Sequence, residues 1–213
     1  MGKYEAVFFD LDGTLSESGE GILWCVGKTI EDLKIVVPEG FMLESFIGPP
    51  LADSFYRLGL DDEGVKLAVK TYKSYYDTKG KYMNRAYDGI KELLEKLRAK
   101  GFKLGAATSK YEPFARQIIN YIGLLPYFDF ISGATADAER QKKIDVLNYG
   151  IKNLETTPEK AVLIGDTRFD AEGARLCGCG FIGVLYGYGT REEMEAEGAV
   201  NFAETASEIE KFL

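Results

Sequence analysis

Apolar positions along this chain fall into two rhythms. Five short runs are almost continuously apolar: EAVFFDL (5–11), FKLGAATS (102–109), FDFIS (128–132), KAVLIGD (160–166) and GFIGVLY (180–186). Runs of this length predict strands buried on both faces of a parallel sheet. Between them the period lengthens. Over 88–100, Ile90, Leu93, Leu94 and Leu97 share one helical face and Gly101 marks the stop; further helices are predicted over 112–122, 142–152, 170–177 and 205–212. Strands alternating with helices predict a doubly wound, Rossmann-like α/β domain whose ligand site lies at the carboxyl ends of the strands.

The alternation is interrupted once. From Leu15 to about Tyr87 no strand pattern is found, only helical patterns at 20–33 and 62–79, the second placing Val65, Ala68, Val69, Tyr72, Tyr75 and Tyr76 near one another. Helix packing accounts for that aromatic stripe without a cofactor. The division expected is an α/β core domain of residues 1–15 and 86–213, with a small all-helical cap of residues 16–85 inserted after the first strand and acting as a lid over the site.

Composition narrows the partners. The 213 residues are 46% hydrophobic, enough to bury a core. With 26 basic and 34 acidic residues the net charge is −8, so the overall field repels a nucleic-acid backbone and a polymer of that kind is excluded as partner. A small phosphorylated metabolite is not excluded, because local charges can override the global sign. The three cysteines, Cys25, Cys177 and Cys179, are read as reduced structural thiols, the close pair belonging to the core. The apolar stretch in MGKYEAVFFDLDG is too short for a signal or a membrane span, and Ala6 breaks the myristoylation pattern after Gly2. A cytoplasmic protein without membrane partners, a monomer or homodimer, is the expectation. There is no histidine, so chemistry must run on carboxylates, hydroxyls and lysines.

The first strand runs into DLDGT, with Asp10 and Asp12 two residues apart. A calcium loop also begins this way but needs glycine sixth and glutamate twelfth, whereas Gly13 is fourth and Gly21 twelfth. Strand termination with a helix cap would explain one acid, not two. More acids stand at another strand end in VLIGDTRFDAEGA, where Asp166 closes the strand and Asp170 opens a helix. Parallel strands end on one side, so Asp10, Asp12, Asp166 and Asp170 can converge. Carboxylates gathered in one pocket repel unless a cation joins them, and an all-oxygen donor set selects a hard ion, Mg²⁺ above others, which shares oxygens with phosphate. Thr108 and Ser109 at the end of a third strand offer hydroxyls and backbone N–H groups to an anion. Lys143, at the start of a helix, offers a point charge.

DLDGT after a strand, TS at a strand end, a lysine at a helix start and GDTRFD, in that order, resemble the four motifs of the haloacid dehalogenase superfamily, and the helical insertion resembles its cap. FIGPPL (46–51), ATSK (107–110) and YGYGTREEMEAEGA (186–199) are similar to its phosphoglycolate phosphatases and 5'-nucleotidase-like phosphatases. The resemblance implies Asp10 as a nucleophile forming an aspartyl phosphate, and Asp12 as the acid and then base. Mg²⁺ would be held by Asp10, the Asp12 backbone carbonyl and Asp166, with Asp170 assisting. Thr108, Ser109 and Lys143 would bind the transferring phosphoryl group, with Gly13 and Thr14 forming the turn beside it. Such preorganised donors contribute roughly 3–4 kcal/mol each to a transition state. Lys143 is preferred to Lys142 because KIDVL matches the family spacing.

Asp12 speaks against dehalogenation, since a halide needs no proton. Phosphonate hydrolysis would need a cap lysine; Lys28 and Lys34 exist without a reason to choose either. A sugar phosphomutase, or a non-catalytic regulator binding a phosphometabolite, stays open as an alternative. In the insertion Arg57, Lys81 and Arg85 could meet an acidic substrate group, but charge does not separate phosphoglycolate from a nucleoside monophosphate.

Overall fold

The computed structural model describes residues 3–136 and 139–213. The chain forms two compact units, Met1–Glu17 with Arg85–Leu213, and Ser18–Asn84. The strands in chain order are β1 (Ala6–Phe9), β2 (Ser16–Glu17), β3 (Arg85–Ala86), β4 (Lys103–Tyr111), β5 (Phe130–Ala134), β6 (Ala161–Gly165), β7 (Gly180–Val184) and β8 (Phe202–Ala203). Six of them make a sheet in the order β5-β4-β1-β6-β7-β8, every neighbouring pair parallel.

Ser18–Asn84 contains α1 (Gly19–Leu33), α2 (Leu51–Arg57) and α3 (Asp62–Thr78). Asp61 caps α3, its carboxylate accepting from Gly64 N at 2.8 Å. Val65, Ala68, Tyr72 and Tyr76 form the buried face of α3, and the Tyr72 and Tyr76 rings stack at 5.5 Å. The aromatic stripe is therefore packing, as its spacing predicts.

The larger unit flanks its sheet with α4 (Ile90–Ala99), α5 (Glu112–Tyr121), α6 (Lys143–Asn153), α7 (Arg168–Cys177), α8 (Arg191–Ala196) and α9 (Ala206–Ile209). Ala6 and Phe8 of β1, Ala161 and Leu163 of β6, and Val146, Leu147 and Ile151 of α6 share one buried cluster. Burial of each large side chain there contributes about 2 kcal/mol. Side chains alternate along a strand, so the face that takes Ala6 and Phe8 also takes residue 10. Among the described residues no helix is long and apolar enough to cross a membrane.

Five elements depart from the pattern reading. β2 and β3 pair antiparallel, Ser16 with Ala86 and Glu17 with Arg85, where no strand is expected; two residues cannot display a period. β8 is equally short. α2 and α8 were not marked by periodicity either, and α8 buries a single residue, Met194.

Candidate active site

Strand register brings the acids together. Phe9 lies opposite Ala106 of β4 and Ile164 of β6, and Asp10 N donates to Ile164 O at 2.9 Å. Asp10 and Asp166 thus leave neighbouring strands at the same level. Asp170 stands in the first turn of α7, where its Oδ2 accepts from Thr167 N at 3.0 Å and Thr167 Oγ1 at 2.7 Å. Ligand oxygens of Asp10, Asp166 and Asp170 all lie within 4.8 Å of one another, and all three residues are buried.

Lys143, the first residue of α6, supplies the cation in their midst. Its Nζ lies 2.7 Å from Asp10 Oδ1 and 2.7 Å from Asp170 Oδ1, and donates to Ala107 O at 3.0 Å. The stem of Lys143 runs over Gly173 of α7, where an added Cβ would stand 2.5 Å from Lys143 Cγ. Lys142, by contrast, is exposed and its backbone N–H bonds Asp145 Oδ2.

The charge balance is uneven. Burial, opposed by Lys143, pushes the Asp10 carboxyl up to about 6. Burial, with Asp170 and Asp10 adding repulsion, holds Asp166 well above the ordinary value of 3.8. Burial alone would lower the Lys143 ammonium, but the adjacent Asp10 and Asp170 outweigh it and its pKa rises. Three buried carboxylates against one ammonium leave surplus negative charge on an all-oxygen donor set, which fits a hard divalent ion such as Mg²⁺.

Asp166 is the most closely fitted of the three. Its Oδ1 accepts from Thr14 Oγ1 at 3.0 Å and its Oδ2 from Tyr188 N at 2.8 Å. Gly13 has φ +85°, and an added Cβ there would stand 2.1 Å from Asp166 Oδ2. The Gly-Thr step after Asp12 is thereby explained: glycine admits the neighbouring carboxylate and threonine bonds it. Thr14 is fully buried, its hydroxyl directed at Asp166.

Asp12 is not in the carboxylate cluster. Its Oδ2 pairs with Lys110 Nζ at 2.8 Å, and its Oδ1 is buried without a hydrogen-bond partner. Thr108 is buried, its Oγ1 accepting from Lys110 N at 3.2 Å, and Ser109 is half-buried. Both sit where the β4–β5 register shifts, between Ala107 and Tyr111, an irregularity that re-aims side chains and frees backbone groups.

Sequence reasoning missed Lys110 and the loop of Tyr188, although both lie inside the stretches ATSK and YGYG. Tyr186 belongs with them, donating its hydroxyl to Thr14 O at 3.1 Å. The basic residues considered as substrate contacts have local partners. Arg57 donates to Ser45 O at 2.7 Å and Ser54 Oγ at 2.9 Å, while Lys81 pairs with Asp77 and Arg85 with Glu17, each at 2.5 Å. Lys28 pairs with Glu31 at 2.6 Å, and Lys34 ends α1 in a left-handed conformation, φ 51°.

Known proteins share this arrangement of sequence and fold. The profile of the family described as haloacid dehalogenase-like hydrolase matches residues 7–184. The tyrosine-protein kinase PtkA of Mycobacterium tuberculosis is 36% identical over 211 residues, 98% of this chain and 72% of that protein. A 5'-nucleotidase of Pseudomonas aeruginosa is 35% identical over 99% of this chain and 96% of its own length. Among solved structures, a predicted phosphatase from Clostridium acetobutylicum superimposes with a TM-score of 0.92 at 38% identity, covering 99% of this chain and 98% of the other.

Proposed function

Since the chain belongs to the haloacid dehalogenase-like hydrolase family, we propose that it is a Mg²⁺-dependent phosphatase hydrolysing a small phosphomonoester through a phosphorylated Asp10. The observation that carries this reading is the buried cluster of Asp10, Asp166 and Asp170, with Lys143 Nζ against Asp10 and Asp170. Phosphoglycolate or a nucleoside monophosphate is the substrate class, and the division into a core of 1–15 and 86–213 and a cap of 16–85 is part of the same proposal.

Asp10 is the nucleophile. An ionised carboxylate needs no histidine to activate it, and the paired Lys143 both fixes its orientation and favours the charged form. Asp12, outside the cluster and anchored by Lys110, gives a proton to the leaving oxygen and then takes one from water, which regenerates both carboxyl groups. Thr108, the Ser109 N–H and Lys143 meet the transferring oxygens. Asp10, the Asp12 carbonyl, Asp166 and Asp170 would hold Mg²⁺, with Thr14, Gly13 and Tyr188 acting through Asp166. Mg²⁺ supplies charge neutralisation on the phosphoryl group.

The likeness to a protein named as a tyrosine kinase favours a second reading, in which a hydroxyl rather than water receives the phosphoryl group from Asp10. One experiment tests both: p-nitrophenyl phosphate is supplied with and without free tyrosine and with Mg²⁺ or a chelator. Phosphate release that needs Mg²⁺ and vanishes in Asp10→Asn is expected. Release by the Asp10→Asn protein would remove the nucleophile, and phosphotyrosine formed at the expense of phosphate would favour transfer.

A further inference from the structure

α7 carries Asp170 in its first turn and a second reactive group at its last residue. Cys177 closes the helix, Gly178 turns into the left-handed region at φ 81°, and Cys179 stands before β7. Both thiols are free and half-buried, packed at the edge of the core cluster that contains Phe8 and Val146. Cys177 Sγ donates to Asn148 Oδ1 at 3.3 Å, and the two cysteines, two positions apart across that turn, each perturb the other's ionisation. A Cβ built on Gly178 would meet only Pro158 Cβ, at 4.0 Å, so the turn joining the thiols is open. None of the proposed phosphatase chemistry uses either sulfur.

We propose that Cys177 and Cys179 form a redox-modification site, at which a hydroperoxide converts the two thiols into a reversible disulfide across Gly178. The sulfur of ionised Cys177 attacks the peroxide O–O bond; one oxygen stays on sulfur as sulfenic acid and the other departs as alkoxide, which takes up a proton to give the alcohol, or water from hydrogen peroxide. The Cys179 sulfur then attacks the Cys177 sulfur. The S–S bond forms, the S–O bond breaks, and the hydroxide released takes the Cys179 proton as water. Two thiols are oxidised by two electrons and one peroxide is reduced.

The order of attack follows from the unequal ionisation of the thiols. Cys179 lowers the Cys177 pKa, while Cys177 and burial raise that of Cys179; the ionised sulfur attacks first and the neutral one resolves. The carboxyl end of α7 opposes a negative charge, so the site is slower than one placed at a helix start. A zinc site is the poorer reading, because two thiolates with no histidine in the chain leave the tetrahedron incomplete. Cys25, fully buried in the other unit, is an internal control.

The test treats the native full-length protein with hydrogen peroxide, denatures and alkylates it, and weighs the tryptic peptide 176–191, which holds both cysteines. The expected product carries no alkyl group, is lighter than the reduced peptide by two hydrogen atoms, and regains two alkylation sites with dithiothreitol. In Cys179→Ser, sulfenic acid on Cys177 should be trapped by dimedone. Full double alkylation after peroxide, a bridge between chains instead of within one, or over-oxidation of the wild-type thiols without a bridge would overturn the proposal. So would dimedone labelling absent from Cys177 in Cys179→Ser.

Discussion

Lys110 Nζ lies 2.8 Å from Asp12 Oδ2, and the two side chains are only 11% and 17% exposed. The ammonium group is fixed beside the acid that the proposed reaction uses twice. Lys110 is a positioning residue, and Lys110→Met should leave the Asp12 carboxylate free to rotate, lowering kcat about 10- to 100-fold with a smaller change in KM. Steady-state kinetics on p-nitrophenyl phosphate check this, with partial recovery expected in Lys110→Arg. A kcat equal to that of the wild type would remove the role.

The Asp10 carboxyl gives a pH signature. Burial raises it from 3.8 to about 6 in the folded protein, so the folded state binds the proton more tightly than the unfolded chain does. This group's contribution to stability therefore falls as pH rises across that window and stays lower above it. Asp10→Asn removes the ionisation while its amide oxygen can still accept from Lys143. Without divalent cations, Asp10→Asn should melt at a higher temperature than the wild type at about pH 8, and the gap should narrow as pH falls below about 6 and close only below 3.8, where Asp10 carries its proton in both states. Thermal melts across pH decide it; a variant less stable than the wild type at the higher pH would contradict the account of the site as strained by its own charge.

Lys143→Met leaves Asp10 and Asp170 without their shared counter-charge at 2.7 Å. Removing one partner from a buried ion pair costs about 3–5 kcal/mol. Urea unfolding near neutral pH should show a loss of that size, diminishing as pH falls and Asp10 becomes neutral. Activity should vanish with it, and Lys142, exposed one residue earlier, should be replaceable without either effect.

Gly13→Ala meets two obstacles. Its φ of +85° costs an L-residue about 1–2 kcal/mol, and the new Cβ would stand 2.1 Å from Asp166 Oδ2. If Asp166 holds the proposed Mg²⁺, the wild type should gain melting temperature with Mg²⁺ through binding linkage, and displacing Asp166 should abolish that gain. A Gly13→Ala protein that keeps its Mg²⁺-dependent stabilisation would show that Asp166 does not hold the ion.

Much of the sheet is legible from apolar runs because parallel strands buried on both faces leave little room for polar residues: β1, β6 and β7 each fall within one, and β4 and β5 start within theirs and run two residues beyond. Convergence of Asp10, Asp166 and Asp170 is legible for the same reason, since strands of one direction end on one side. The partners are less so. Lys110 sits where the β4 register shifts, and no period indicates which way its side chain points. Tyr188 reaches Asp166 through its backbone N–H, a role that places no demand on the tyrosine side chain. The choice between Lys142 and Lys143 depends on helix phase against a neighbouring helix: the stem that passes Gly173 is the buried one. β2 and β3, two residues each, are specified by where the chain leaves and re-enters the larger unit, not by their own composition.

The central claim is that Asp10 itself becomes phosphorylated, and acyl phosphates can be trapped. Rapid quenching during turnover, reduction with borohydride and peptide mass mapping should convert the side chain at position 10, and no other, to the corresponding alcohol. A reduced residue elsewhere, or phosphate released at full rate with no reducible acyl phosphate at position 10 at any quench time, would contradict it.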